Sequence, residues 1–211
     1  MKKRFIFDLD GTLLHGNFKI EQDYFKSVLS KEDADKFLPL LFPMLEEYEK
    51  RFIKYEVPRL SKFLSNQLDI NITDEIIEGW IDVNCNMGDV ILPETNEMLE
   101  YLKSKGKSLV VLTNWFYKTQ KSRLKNMNIL SYFDEVYAGD TYLKPSPESY
   151  LNAKGEYSIN ECVVIGDTVQ KDVLGPNMIG MDSIYYNPSK KTYNKKLIYS
   201  IDSFEKIKEM Y

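Results

Sequence analysis

Arg4-Phe5-Ile6-Phe7-Asp8-Leu9-Asp10-Gly11-Thr12 decides how this chain is read, because a short apolar strand runs directly into two carboxylates set two residues apart. Side chains alternate faces along a strand, so Asp8 and Asp10 are expected at the same edge, with Gly11 permitting a sharp turn behind them. Like charges held that close do not both ionise cheaply. The pair shares a proton, binds a divalent cation, or divides into a nucleophile and an acid. The plainer reading is a strand followed by an acidic Asp-Gly turn.

Working outward, β-rich runs at 108–112, 135–138, 162–165 and 183–186 alternate with helical patterns, which with residues 5–9 predicts five strands in a parallel sheet. Pro93 and Pro147 suit first helical turns, Gly106 suits a helix end, and a last helix is expected over 203–210. Between Gly16 and about Val90 the period changes. Leu45, Tyr48, Phe52 and Tyr55 recur at helical spacing, Pro58 can open another helix, Thr73 can cap a third, and Pro39 and Pro43 interrupt any single long one. The fold class is therefore α/β: a Rossmann-like core of residues 1–15 and 91–211, its parallel sheet flanked by helices, with an all-α insert of residues 16–90. The connecting segments near 14–16 and 89–91 form a hinge.

The chain has 211 residues, long enough to bury a core without staples, and a formal charge of −4 argues against a general nucleic-acid surface. Cys85 and Cys162 read as reduced structural thiols. Lys2, Lys3 and Arg4 superficially resemble the start of a signal peptide, but Asp8 and Asp10 interrupt the apolar run too early. No apolar stretch reaches the roughly 18 residues of a membrane helix, so no membrane partner and a cytoplasmic location are expected.

In an open α/β sheet, ligands bind beyond the carboxyl ends of the strands. Asp8 and Asp10 follow the first strand, Thr113 and Asn114 the second, Lys144 the loop after the third, and Gly166, Asp167 and Asp172 the fourth. In this order they resemble the four motifs of haloacid dehalogenase superfamily hydrolases of the phosphatase kind, with an α-helical cap inserted after the first motif. Asp8 through Thr12 match the first motif, Thr113 the second, Lys144 the third, and Gly166-Asp167-Thr168 through Asp172 the fourth. The resemblance covers essentially the whole chain, the cap matching in position, size and helical character.

The resemblance implies that Asp8 attacks phosphorus and that Asp10 protonates the leaving oxygen, then activates water. That role asks for a raised Asp10 pKa, which a neighbouring carboxylate tends to cause. It further implies Mg²⁺ held by the Asp8 carboxylate, the Asp10 backbone carbonyl and Asp167. Lys144 would balance charge, Thr113 would donate to the phosphoryl oxygens, Asn114 would assist there, and Asp172 would hold a metal-bound water or orient Lys144. Thr12 is read as fixing the turn.

The implied activity is hydrolysis of a small phosphomonoester: a sugar phosphate, a phosphoglycolate-like acid or a nucleotide. A sugar phosphomutase of the same fold, a phosphonate hydrolase using a cap lysine such as Lys19, Lys26, Lys50 or Lys54, and a binding protein with a relict site are the alternatives. Asp10 favours phosphoryl transfer over dehalogenation. Trp115 departs from the family's small residue and is read as packing beneath the cap. His15, the only histidine, lies beside the hinge within reach of a cap or substrate contact. Oligomeric state is not legible.

Overall fold

The computed structural model describes residues 1–192 and 199–211. β1 (Arg4–Phe7) is buried on both faces, as the apolar run Phe5-Ile6-Phe7 requires of a central parallel strand, and the buried Arg4 donates to Ala153 O and Ser108 Oγ. The chain then forms β2 (Leu14–His15) and enters the helices α1 (Lys19–Val28), α2 (Lys31–Phe37), α3 (Leu41–Arg51), α4 (Val57–Leu68) and α5 (Asp74–Asn84). It returns through β3 (Val90–Ile91). Leu14 pairs with Ile91 and His15 with Val90, so the two connecting segments form one antiparallel ribbon.

The rest of the chain runs α6 (Thr95–Ser104), β4 (Ser108–Leu112), α7 (Tyr117–Asn126), β5 (Glu135–Tyr137), α8 (Pro147–Lys154) and β6 (Cys162–Gly166). A π-helical turn, Val169–Leu174, leads into α9 (Gly175–Met178), β7 (Asp182–Tyr186), β8 (Ser200–Ile201) and α10 (Glu205–Met210). The main sheet has the order β5-β4-β1-β6-β7-β8 and is parallel throughout. Among the described residues it holds six strands where sequence periodicity predicts five. β8 is too short for a periodic signal and exists because Ser200 and Ile201 pair with Tyr185 and Tyr186.

Alternation places Phe5, Phe7, Val111 and Ile165 against Met98 and Leu102 of α6 and Ile207 of α10. Ile6, Val110 and Val164 face the other way, onto Tyr150 and Ala153 of α8. A separate core of Phe25, Tyr48, Leu64 and Trp80 holds the inserted helices, and Phe116 and Leu143 of the sheet domain join it. Burying large apolar side chains stabilises each cluster by about 1.5–3 kcal/mol per residue, before chain entropy is set against it.

Local signals act as their chemistry predicts at Pro58, in the first turn of α4, at Pro147, which opens α8, and at Thr73, whose side chain accepts from Ile76 N–H. Pro93 differs: it precedes α6, which Glu94 caps with φ 64°. The stripe from Leu45 to Tyr55 also outruns its helix. α3 ends at Arg51, yet the rings of Phe52 and Tyr55 fold back to within 4.6 and 5.0 Å of Tyr48. No helix among the described residues is long and apolar enough to cross a membrane.

Candidate active site

β1 lies where the strand order reverses, with β4 and β5 on one side and β6, β7 and β8 on the other. Such a switch point opens a crevice at the strands' carboxyl ends. Phe7 stands level with Val111 and Ile165, so Asp8 leaves the sheet one residue past that level and Thr113 and Asp167 two residues past it.

Asp8 is buried; its Oδ1 accepts from Lys144 Nζ at 2.6 Å and its Oδ2 from Thr12 Oγ1 at 3.3 Å. Burial pushes its carboxyl up to about 7 against the pull of Lys144, while Asp172 and Asp167 add repulsion. Lys144, only 1% exposed, also donates to Asp172 Oδ1 at 2.7 Å. Burial opposes the Lys144 charge, but Asp172 and Asp8 outweigh it and hold the ammonium above its ordinary range. Asn114 fixes this lysine from behind: Asn114 Oδ1 accepts from Lys144 N–H at 2.9 Å and Nδ2 donates to Lys144 O at 3.2 Å. The Lys144–Pro145 peptide is cis.

Asp172 is fully buried on the π-helical turn, and its Oδ2 accepts from Thr168 N–H at 2.9 Å. It fits because Gly166 has no side chain: a Cβ there would lie 2.3 Å from Asp172 Cγ. Burial, then Asp172, raises the carboxyl of Asp167. Carboxylate oxygens of Asp8, Asp167 and Asp172 lie within 4.8 Å of one another. Gly11 is equally constrained, with φ +79° and a would-be Cβ 2.3 Å from Asp167 Oδ2. An all-oxygen cradle of this size suits a hard divalent cation.

The two acids of the opening segment line the same cavity but share no partner. β1 ends at Phe7, and each acid takes its own cation. Asp10 Oδ1 and Oδ2 accept from Arg123 Nη2 and Nη1 at 2.5 and 3.0 Å. Arg123 also grips Asp89, next to β3, and donates to Gln120 Oε1, which engages all five of its N–H groups. Burial opposes this charge, yet Asp10 and Asp89 raise the guanidinium further. Gln120 Nε2 donates to Thr113 Oγ1 at 3.0 Å and to Asp10 Oδ2 at 3.2 Å. The Thr113 hydroxyl itself donates to Asn114 O at 3.1 Å.

Arg123, Gln120 and Asp89 escape the sequence reading. The one signal for them is that Thr119, Gln120, Arg123 and Leu124 share a helical face, buried here, while Lys118, Lys121 and Lys125 point elsewhere.

A cavity of about 270 Å³ separates these strand ends from the inserted helices. Asp8, Asp10, Thr113, Asn114, Lys144 and Asp172 line it. The insert contributes Glu21, Trp80 and Asn84 among others. Trp115 packs as expected, 4.3 Å from the Trp80 ring and 5.2 Å from that of Tyr55, and it also faces the cavity. His15 does not; it lies exposed at a separate shallow depression with Asn17 and Val90. Lys19, Lys26, Lys50 and Lys54 are also absent from the lining. Cys162 is buried and Cys85 half-buried, both unbridged.

A parallel α/β sheet whose switch point holds an acid–lysine–acid cluster beneath a helical insert places the chain among α/β proteins with an acidic, ligand-sized crevice. The sequence pattern of the haloacid dehalogenase-like hydrolases matches residues 2–180, and the chain belongs to that family. It is 31% identical over 171 residues to a phosphoglycolate phosphatase of Aquifex aeolicus, covering 77% of this chain and 75% of the relative. It is 25% identical over 202 residues to the pyrimidine 5'-nucleotidase PynA of Streptococcus pneumoniae, covering 88% and 84%. The HAD-hydrolase YfnB of Bacillus subtilis, solved bound to magnesium, superposes with a TM-score of 0.71 at 18% identity over 99% of this chain and 98% of its own, which establishes a common fold.

Proposed function

We propose that the chain is a Mg²⁺-dependent phosphatase of small phosphomonoesters that works through phosphorylated Asp8, with the inserted helices, residues 16–90, acting as a lid. The observation that carries this is Asp8 held 2.6 Å from Lys144 at the floor of an acid-lined cavity closed by those helices. The phosphatase names of its relatives point the same way.

Asp8 forms the bond to phosphorus as the bond to the leaving oxygen breaks. Lys144 uses two of its three N–H donors on Asp8 and Asp172, and the third serves a phosphoryl oxygen. Asp10, with a side chain 35% exposed against 10% for Asp8, is the acid that water and a leaving group can reach. It gives its proton to the leaving oxygen and takes one from the water that releases phosphate. Arg123 and Gln120 hold Asp10 in place for both steps.

The carboxylates of Asp8 and Asp167 fit Mg²⁺, and family resemblance adds the Asp10 carbonyl; the magnesium in the YfnB structure supports the choice of ion. When bound, the ion offsets the repulsion between these acids and the phosphate dianion. A panel of phosphomonoesters assayed with Mg²⁺ or EDTA, beside Asp8→Asn, tests the reading. Metal-dependent phosphate release that vanishes in Asp8→Asn supports it; undiminished release by Asp8→Asn refutes it.

A further inference from the structure

The lid side of the cavity has a charge pattern that restricts the leaving group. Residues contributed by the insert include Glu21, Glu46 and Glu49, and none is Lys, Arg or His. Cations reach the lining only from the sheet domain, and each is already paired. Lys144 lies between Asp8 and Asp172, Arg123 engages Asp10 and Asp89, and Lys171 sits 2.5 Å from Glu49. A leaving group carrying a carboxylate or a second phosphate would meet acids and no free cation among the described residues.

The same wall holds hydrogen-bonding capacity that the protein does not use. Glu21 is 5% exposed and Asn84 1% exposed, and Asn84 Nδ2 donates to Glu21 Oε1 at 2.7 Å. Asn84 Oδ1 is buried without a partner, as are the indole N–H groups of Trp80 and Trp115, which also line the cavity. Buried polar atoms are nearly always satisfied in native proteins, so an orphaned acceptor lining a cavity marks a place for a ligand's donor. Burial also lifts the Glu21 carboxyl to about 7, with Asn84 and then Trp80 pulling it down.

Resting on the phosphatase reading above, we infer that Glu21 and Asn84 are specificity-determining residues that select phosphomonoesters of neutral alcohols bearing further hydrogen-bond donors, and that reject anionic leaving groups. Sugar and nucleoside hydroxyls share this chemistry. Rejection comes from repulsion by the acids, selection from donors that meet the Glu21 carboxyl and Asn84 Oδ1. The phosphoglycolate phosphatase relative, at 31% identity, therefore does not carry its substrate over to this chain.

The test compares kcat/KM for glycerol 3-phosphate and uridine 5′-monophosphate with that for 3-phosphoglycerate and 2-phosphoglycolate, in wild type and Glu21→Gln. p-Nitrophenyl phosphate, which lacks donors and a second charge, reports the phosphatase chemistry alone. The better neutral substrate should exceed the better anionic one by at least about 10²-fold. Whether it is the polyol or the nucleotide identifies the source of the hydroxyls. Glu21→Gln, which keeps the acceptor for Asn84, should shrink that ratio at least about fivefold, mainly through KM of the neutral substrate.

Glu49→Gln is the second variant. It frees Lys171 at the cavity wall and should raise kcat/KM for 3-phosphoglycerate. An anionic substrate that equals or beats the neutral ones overturns the inference, as does a ratio unmoved in both variants. Loss of p-nitrophenyl phosphate turnover in wild type overturns the phosphatase reading instead, and the inference with it.

Discussion

Replacing Lys144 with methionine removes the one charge that holds two buried acids together. Its ammonium lies 2.6 Å from Asp8 and 2.7 Å from Asp172, and methionine keeps most of the volume while leaving both carboxylates without a cation. Asp172 would retain the Thr168 N–H and Asp8 the Thr12 hydroxyl. Breaking a buried ion pair from one side costs about 3–5 kcal/mol. Burial already disfavours the ionised form of Asp8 even with Lys144 in place.

The sign with pH follows from the direction of that shift. A carboxyl raised above its unfolded value contributes stability that is full below about 3.8 and is lost as pH rises through about 7. Without Lys144 the Asp8 carboxyl rises further, so the deficit of Lys144→Met should be largest at alkaline pH and shrink towards pH 4, where a protonated Asp8 no longer needs a cation. Urea unfolding of both proteins in EDTA at pH 5 and pH 8 measures this. A deficit under about 1 kcal/mol at pH 8, or one that grows on acidification, refutes the picture of a dry, charge-paired site.

Arg123→Met should destabilise the protein by about 3 kcal/mol in urea and lower kcat about 10²-fold, because it strips the shared cation from Asp10 and Asp89. Gly11→Ala should weaken divalent-cation binding at least about tenfold by calorimetry, since its Cβ collides with Asp167 in a left-handed backbone that also costs about 1 kcal/mol. Mg²⁺ at a hundred times its Kd should stabilise wild type by about 2.7 kcal/mol in thermal melts, and Asp167→Asn should lose most of that gain.

The sheet was legible because its strands are apolar runs bounded by helical periods, and in a parallel sheet legible strands bring their carboxyl ends to one edge. Asp8, Thr113, Lys144, Asp167 and Asp172 could be gathered that way without knowing the strand order. Arg123 and Gln120 could not: they sit on α7 among lysines, and only the packing of that helix buries their face. The cation that Asp10 takes was not legible for the same reason, since Arg123 reaches it from α7. The Glu21–Asn84 contact joins residues 63 positions apart within the insert, beyond any local pattern.

Asp8 as nucleophile is the claim on which the chemistry depends, and mass spectrometry of a rapidly acid-quenched reaction tests it most directly. Asp10→Asn, which should slow hydrolysis of the intermediate, is mixed with Mg²⁺ and p-nitrophenyl phosphate, whose stable leaving anion needs no proton from Asp10, and its peptides are sequenced. The account predicts one phosphoryl group on Asp8, absent in EDTA and in the Asp8→Asn variant. Phosphate on any other side chain, or turnover by wild type with an Asp8 never modified in Asp10→Asn, would contradict it.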